Sequence, residues 1–538
     1  MENLLPPIID IEMHNGDVPP FNWPDRDVPD DIIFLTFIAL TNMRDAKHSL
    51  LSASQVCRRW RLIASYSARL WSKVDLSDLK IASQYVVRAR DAPITIMLRR
   101  DKVADVPQGL PTFLSTYLNF AQVVEIVLEL PYSVMAQVLP FLNCPLPALK
   151  TLTLALTGGS DEENEAEPYA LEARLGMCSN LRTLELTRII VRSLSCDTQV
   201  RAIRWVDQFY GWADNMLTMD QFLEVLRKCP FLDTLYLQDA GPWLDIEDPE
   251  YPQLPPINLP NVRMVELRLG PGHMKYLLSY IVIPEEAKVT CYTCLGDEED
   301  FEYMLPKDMS NIRMTQCADT AVFTNYEEET TLYLRLYSQR GASQGSTAPV
   351  GRFDLNLACG TEDEDAIPEY LHPKAISTIT LIPSVFPGIR DITVRCDLVE
   401  IGASQWQSIL ETFGNVTTIR LTNIRKGFES ESADRPYLFE ALLSSSGRGY
   451  ICPKLREIEL YDLRITDEFI HVASQALLQR QKMGLQLRWL LFYVREAEWD
   501  IAQKFLQSTV QDFITRPSVP AEEEQWWGQR DVESRGLQ

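Results

Sequence analysis

The sequence predicts an α/β chain, with a compact helical module near the N-terminus followed by an irregular solenoid of strand–helix units. Three observations carry that prediction. Between residues 28 and 71, two apolar segments repeat at helical spacing. Beyond them a short motif, apolar-x-x-apolar-x-apolar, returns many times. Between its copies lie stretches with one apolar face at helical period.

In the helical module, Pro29 stands at a helix start, where its missing N–H costs little. Asp30 and Asp31 place negative charge in the first turn, where the helix dipole favours it. Ile32, Ile33, Phe37 and Leu40 then fall on one face. In the second segment Val56, Trp60, Ile63 and Ala64 repeat the spacing, and Leu70-Trp71 comes next. Arg58, Arg59 and Arg61 project mostly elsewhere and read as a solvated helix face rather than a nucleic-acid patch. Periodicity alone favours the core of an ordinary small helical domain. The order and spacing of the two segments add what periodicity lacks.

Val28-Pro29, Ile32-Ile33, Phe37, Leu40, Val56-Cys57-Arg58-Arg59-Trp60 and Leu70-Trp71, in that order, resemble an F-box over residues 28–75. The chain departs from the family's pattern at Val28, where leucine is usual, and at Thr36, where an aliphatic residue is common. Residues 41–49, between the helices, are longer and more polar than in a minimal box. Residues 88–98 resemble the segment just after the box in many fungal F-box-like proteins. The resemblance implies a three-helix F-box whose apolar side chains enter a groove of a Skp-type adaptor and, through it, join a cullin. The matching positions are Pro29, Ile32, Ile33, Val56, Cys57, Trp60, Leu70 and Trp71. Trp60 especially is also a candidate for the box's own core.

The recurring motif appears as Val123/Ile126/Leu128, Leu149/Leu152/Leu154, Leu181/Leu184/Leu186, Leu232/Leu235/Leu237 and Val262/Val265/Leu267. It returns as Ile376/Ile379/Leu381, Ile389/Ile392/Val394, Val416/Ile419/Leu421 and Leu455/Ile458/Leu460. Several copies share a lead-in: Cys144-Pro145, Cys229-Pro230 and Cys452-Pro453, with Cys178-Ser179-Asn180 and Phe386-Pro387-Gly388 as relatives. The spacing describes a turn that packs its first apolar side chain inward, then a short strand whose alternate residues also point inward. One such unit cannot bury its apolar face alone, so neighbours must stack. Helices are predicted over 218–228, 404–413 and 466–473, the first and third started by Thr218 and Thr466. The pattern resembles the leucine-rich repeats of F-box proteins, although its spacing is wider and less even than roughly 20–29 residues. Residues 270–375 carry no clean copy, but 288–292 and 331–337 alternate as strands do. Residues 158–167, 239–256, 338–351 and 358–368 read as loops, and 485–513 as a C-terminal cap with a helix from about Glu496. The expected division is a flexible segment 1–27, the box 28–75, a repeat region 76–516 and a tail 517–538.

The chain has 538 residues, beyond a single compact core, and its 46% apolar content is ample for burial. Its formal net charge of −24 disfavours nucleic acid and anionic lipid as partners. Much of the acid lies in short runs such as 161–167, 297–300 and 362–365, which read as solvated loops. The N-terminus lacks the basic start and apolar core of a signal peptide, and no apolar run approaches the roughly 18 residues that span a bilayer. A cytosolic or nuclear protein is expected, with no membrane partner. The 11 scattered cysteines read as reduced thiols.

Catalytic chemistry finds little support. Cys291 and Cys294 form the one close thiol pair, and zinc needs two further ligands that the five histidines do not supply in paired spacing. No phosphate-binding loop, dinucleotide fingerprint or nucleophile elbow is present. Cys57 has no identifiable histidine partner. Trp205, Tyr210 and Trp212 form either a binding anchor or, the better reading, local packing. No cofactor and no metal are expected. The function implied is a non-catalytic, substrate-recognising subunit of an SCF-type ubiquitin ligase acting on an unidentified protein. A non-catalytic repeat scaffold whose box is vestigial or works without a cullin is the alternative.

Overall fold

The computed structural model describes residues 28–41, 46–118, 122–157, 171–175, 177–192, 194, 199–207, 217–242, 254–295, 304–306, 308–325, 331–338, 350–359, 386–396, 401–423, 436–443, 445–446, 449–461, 466–494, 510 and 512–517. The chain divides into two compact units, Met1–Leu98 with Pro107–Val124, and Arg99–Val106 with Glu125–Gln538.

The first unit opens with helices α1 (Asp30–Leu40), α2 (Ala46–Gln55) and α3 (Arg58–Tyr66), and a short 3-10 turn, Ala68–Trp71. Ile33, Phe37, Leu50, Ala53 and Ala64 are buried between the helices. A strand, β1 (Lys73–Asp75), then pairs in parallel with β2 (Ile94–Arg99), joined through helix α4 (Leu79–Ala89). The Asp78 carboxylate caps α4, accepting from the N–H groups of Lys80 at 2.9 Å and Ile81 at 3.2 Å.

In the second unit, β3 (Val123–Pro131), β4 (Thr151–Thr157), β5 (Thr183–Thr187), β6 (Ala202–Val206), β7 (Thr234–Gln238), β8 (Met264–Arg268) and β9 (Lys288–Leu295) pair in chain order, each parallel to the next. The next three strands, β10 (Thr320–Asn325), β11 (Thr331–Ser338) and β12 (Val350–Cys359), form an antiparallel meander. It is spliced in backwards: β12 lies parallel to β9, and β10 lies parallel to β13 (Asp391–Cys396). From β13 the parallel order resumes through β14 (Thr418–Asn423), β15 (Glu457–Tyr461), β16 (Trp489–Val494) and β17 (Asp512–Pro517). The meander explains why 270–375 shows no clean motif, and the strands expected over 288–292 and 331–337 are present within it and beside it.

The motif's apolar positions occupy shared rungs. Leu152, Leu184, Ile203, Leu235, Val265 and Val289 align on one rung, and Leu154, Leu186, Trp205, Leu237, Leu267 and Cys291 on another. All twelve side chains are buried. Val200/Ile203/Trp205 is therefore a further copy, hidden in the sequence because tryptophan stands in a leucine slot. Trp205 lies edge-on to Phe222 with centroids 5.4 Å apart, so packing is its role in this structure. Tyr210 and Trp212 lie outside the described residues. So do the copy Ile376/Ile379/Leu381, the loop 158–167 and the helix expected from Glu496.

Each lead-in makes the same turn. The N–H groups of Leu149, Leu181, Leu232, Val262, Ile389, Val416 and Leu455 donate to the carbonyl three residues earlier. That turns the first apolar side chain of each copy inward. The helix Met219–Arg227 carries the expected cap, with Gln221 N donating to Thr218 Oγ1 at 3.3 Å and Thr218 N to Gln221 Oε1 at 3.2 Å. The helix Ala403–Thr412 buries Trp406, Ile409 and Leu410. The helix begun by Thr466 extends past the predicted stretch, over Asp467–Lys482, because Ala473, Ala476 and Leu477 continue its buried face.

Candidate functional site

The site is built on α1 and α3. Pro29 is the residue that caps α1, with φ −57° and ψ 147°, and its carbonyl accepts from Ile32 N at 3.1 Å and Ile33 N at 3.3 Å. Helix α1 is apolar on more than one side. Ile33 and Phe37 point into the unit and are buried, whereas Ile32 is 50% exposed, Leu35 56% and Ile38 36%. Thr36, where the family's aliphatic residue is missing, turns its hydroxyl back to Ile32 O at 2.8 Å. Its polarity is thereby satisfied within the helix.

Cys57 begins α3 from an extended conformation, and its Sγ accepts from Trp60 N at 3.4 Å, a weak version of a serine or threonine cap. Two residues on, Arg59 reaches back to the start of α1. Its Nε donates to Asp30 Oδ1 at 2.7 Å, and a guanidinium nitrogen donates to Val28 O at 2.5 Å. One arginine thus fixes where α1 begins relative to α3. Trp60 meets Phe37 edge-on at 5.4 Å, and its indole N–H is buried with no hydrogen-bond partner among the described residues. Just before α3, Val56 is 56% exposed.

Leu70 and Trp71 are buried. Trp71 donates from Nε1 to Ala64 O at 2.7 Å, ending α3 against its own indole. Its ring stands edge-on to Tyr85 at 4.9 Å and lies under the Arg88 guanidinium at 4.4 Å. Burial there pushes the Tyr85 phenol up to about 12 and the Arg88 guanidinium down.

The eight residues singled out by sequence therefore separate into groups. Pro29, Ile32 and Val56 are exposed, Cys57 and Trp60 are half-buried, and Ile33, Leu70 and Trp71 belong to the unit's own interior. Sequence reasoning missed Leu35, Ile38, Leu62 and Tyr66, all exposed apolar side chains. The signal was available for α1, since Ile32, Leu35 and Ile38 recur every third residue on its outer side.

Elsewhere, Cys291 is buried and Cys294 is exposed, so the strand sends the two thiols to opposite faces and they share no ligand position. Among the described residues, no group of histidine, cysteine, aspartate and glutamate is arranged to hold a metal ion, and no helix is long and apolar enough to cross a membrane. A family model described as F-box-like matches residues 26–77. No curated protein matches the chain.

Proposed function

We propose that the protein is a substrate-recruiting subunit of an SCF-type ubiquitin ligase, docking a Skp-type adaptor through its F-box-like segment. One observation carries this reading. Within a segment that matches the F-box-like model, Ile32, Leu35, Ile38 and Val56 stay exposed although the unit already has a complete apolar interior. Apolar side chains grouped on the outside of a packed module mark a surface that another chain covers. In this role Ile33, Leu70 and Trp71 hold the frame, Arg59 sets the position of α1, and Pro29, Ile32 and Val56 touch the adaptor. The second unit, read as a leucine-rich-repeat-like array, presents the surface for a protein substrate. The protein performs no bond chemistry; it brings a substrate lysine close to the charged conjugating enzyme. That role belongs in the cytoplasm or nucleus.

The test is co-expression with the host's Skp-type adaptor, then size-exclusion chromatography and titration. Wild type co-elutes with the adaptor. Ile32→Glu with Val56→Glu weakens the pair at least about 30-fold while the melting curve is unchanged, because both positions are exposed. Trp71→Ala loses binding and fold together. A wild-type chain that ignores the adaptor, or a double variant that binds normally, overturns the reading. Adaptor without cullin in the complex converts it to the scaffold alternative.

A further inference from the structure

The outer face of the second unit's sheet is unevenly charged, and its strands locate the unevenness. Six strands adjacent in space, β6, β7, β8, β9, β12 and β11, carry five cations, Arg204, Arg268, Lys288, Arg335 and Arg352, against two carboxylates, Glu266 and Asp354. The preceding strands, β3 to β5, carry three carboxylates, Glu125, Glu129 and Glu185, and no cation. Beyond the meander, β13 to β15 carry two cations, Arg395 and Arg420, against three carboxylates, Asp391, Glu457 and Glu459. A chain of net charge −24 thus holds a bounded basic strip with acidic flanks.

All five cations occupy the outward positions of their strands, opposite the buried rungs. Two of them, Arg204 and Arg268, are also ordered by aromatic neighbours. The Arg204 guanidinium lies over the Tyr236 ring at 4.3 Å, on the adjacent strand in register. Arg268 lies between Tyr292, at 4.4 Å, and Tyr236, at 5.9 Å, and pairs with Glu266 at 2.9 Å. The row continues in register from Tyr292 to Asn356 and Tyr333. Arg335 and Arg352 share the buried carboxylate of Asp354, at 3.1 and 2.6 Å. Arg204 has no carboxylate partner among the described residues. A guanidinium held over a tyrosine ring can still bond a carboxylate from its rim: Arg204 offers that rim, while in Arg268 the Nε and Nη2 groups already hold Glu266 at 3.0 and 2.9 Å, leaving Nη1 for a second carboxylate.

We propose that this strip binds an acidic, extended protein segment, with Arg204 and Arg268 as its carboxylate grips and Tyr236 and Tyr292 as the platforms beneath them. The proposal deepens the substrate-recruiting role and rests on it. Tyrosine and arginine are the residue types that concentrate binding energy at protein interfaces. At ~4.8 Å between strands the strip runs about 24 Å, which an extended segment of about seven residues covers. The acidic flanks and the chain's overall charge favour a short acidic stretch over a long nucleic-acid polyanion, whose remainder would be repelled.

The experiment uses the full chain co-purified with its Skp-type adaptor and a fluorescein-labelled octaglutamate peptide, followed by anisotropy. Octaglutamate binds, an equally long Ser-Gly peptide does not, and added salt weakens the complex. Arg204→Gln with Arg268→Gln weakens it about tenfold or more, while Arg227→Gln with Lys228→Gln, on a helix of the same unit, leaves it unchanged. If the double variant melts early, Arg204→Gln alone serves, since that exposed side chain supports no buried group. Equal binding of the neutral peptide, or equal loss with the helix variant, overturns the proposal. Tighter binding of oligodeoxythymidine with the same sensitivity assigns the strip to nucleic acid instead. Adaptor co-elution is read in every sample, so failure of the docking role is seen separately.

Discussion

Ile32 and Ile33 are neighbours in the chain, yet one faces solvent and the other is buried. Helical geometry turns successive residues by about 100°, so one boundary between inside and outside passes between them. The sequence placed both on the core face with Phe37, because an almost wholly apolar helix offers no polar side to orient it. The Arg59–Asp30 contact was equally illegible, since charge patterning reports pairs within a helix, not partners 29 residues apart. What the periodicity did reveal was Phe37 as an apolar-face residue, and it is buried; Leu70 and Trp71, which the resemblance placed among the adaptor-binding positions, are buried in the unit itself. A different residue predicts behaviour with pH. Burial holds His273 below the ordinary imidazole value of 6.5. The unfolded chain therefore takes up the proton first, so this contribution to stability is complete above 6.5 and is lost as pH falls through the lower folded value. His273→Gln should melt with a shallower acid dependence than wild type between neutral and mildly acid pH, measured by circular dichroism.

The turn that precedes each strand repeats in detail. Asn180, Asn261 and Asn415 sit just before the first apolar residue of their copies, and each donates its Nδ2 to a proline carbonyl of an earlier turn: Pro147 at 2.6 Å, Pro230 at 2.8 Å and Pro387 at 3.4 Å. These bonds link turn to turn along the edge of the sheet, as the backbone ladder links strand to strand. Asn261→Ala should lower stability by about 1 kcal/mol in urea denaturation, the usual worth of one such bond, and Asn261→Asp should not restore it, because a carboxylate has no donor. The motif itself was legible because a rung needs apolar residues at fixed offsets, and Leu235, Ile392 and Ile458 obey that rule. Val200/Ile203/Trp205 obeyed it with a tryptophan and went unseen. The backward meander was beyond any motif, since alternation shows that residues 331–338 form a strand but not which neighbour it joins.

Across the chain, the sum of charge and its placement have separate consequences. A net charge of −24 repels itself, and moderate salt should raise the melting temperature of the wild-type protein by screening that repulsion, measured by calorimetry at low and physiological ionic strength. The basic strip opposes that trend locally, so the same salt that stabilises the fold weakens an acidic ligand's hold.

The backward meander also breaks the rule, followed by simple repeats, that each new strand pairs with the one made just before it. Every strand from β4 to β9 meets a finished neighbour as soon as it is made, so each rung is added to a ready template. Strand β10 meets none: the edge of β9 stays open until residues 350–359 emerge and close it, and only then is β10 the free edge on which β13 can pair. The topology therefore leaves β9 with no partner beyond Leu295 until residues 350–359 are present, and the two halves of the sheet join only through all three meander strands.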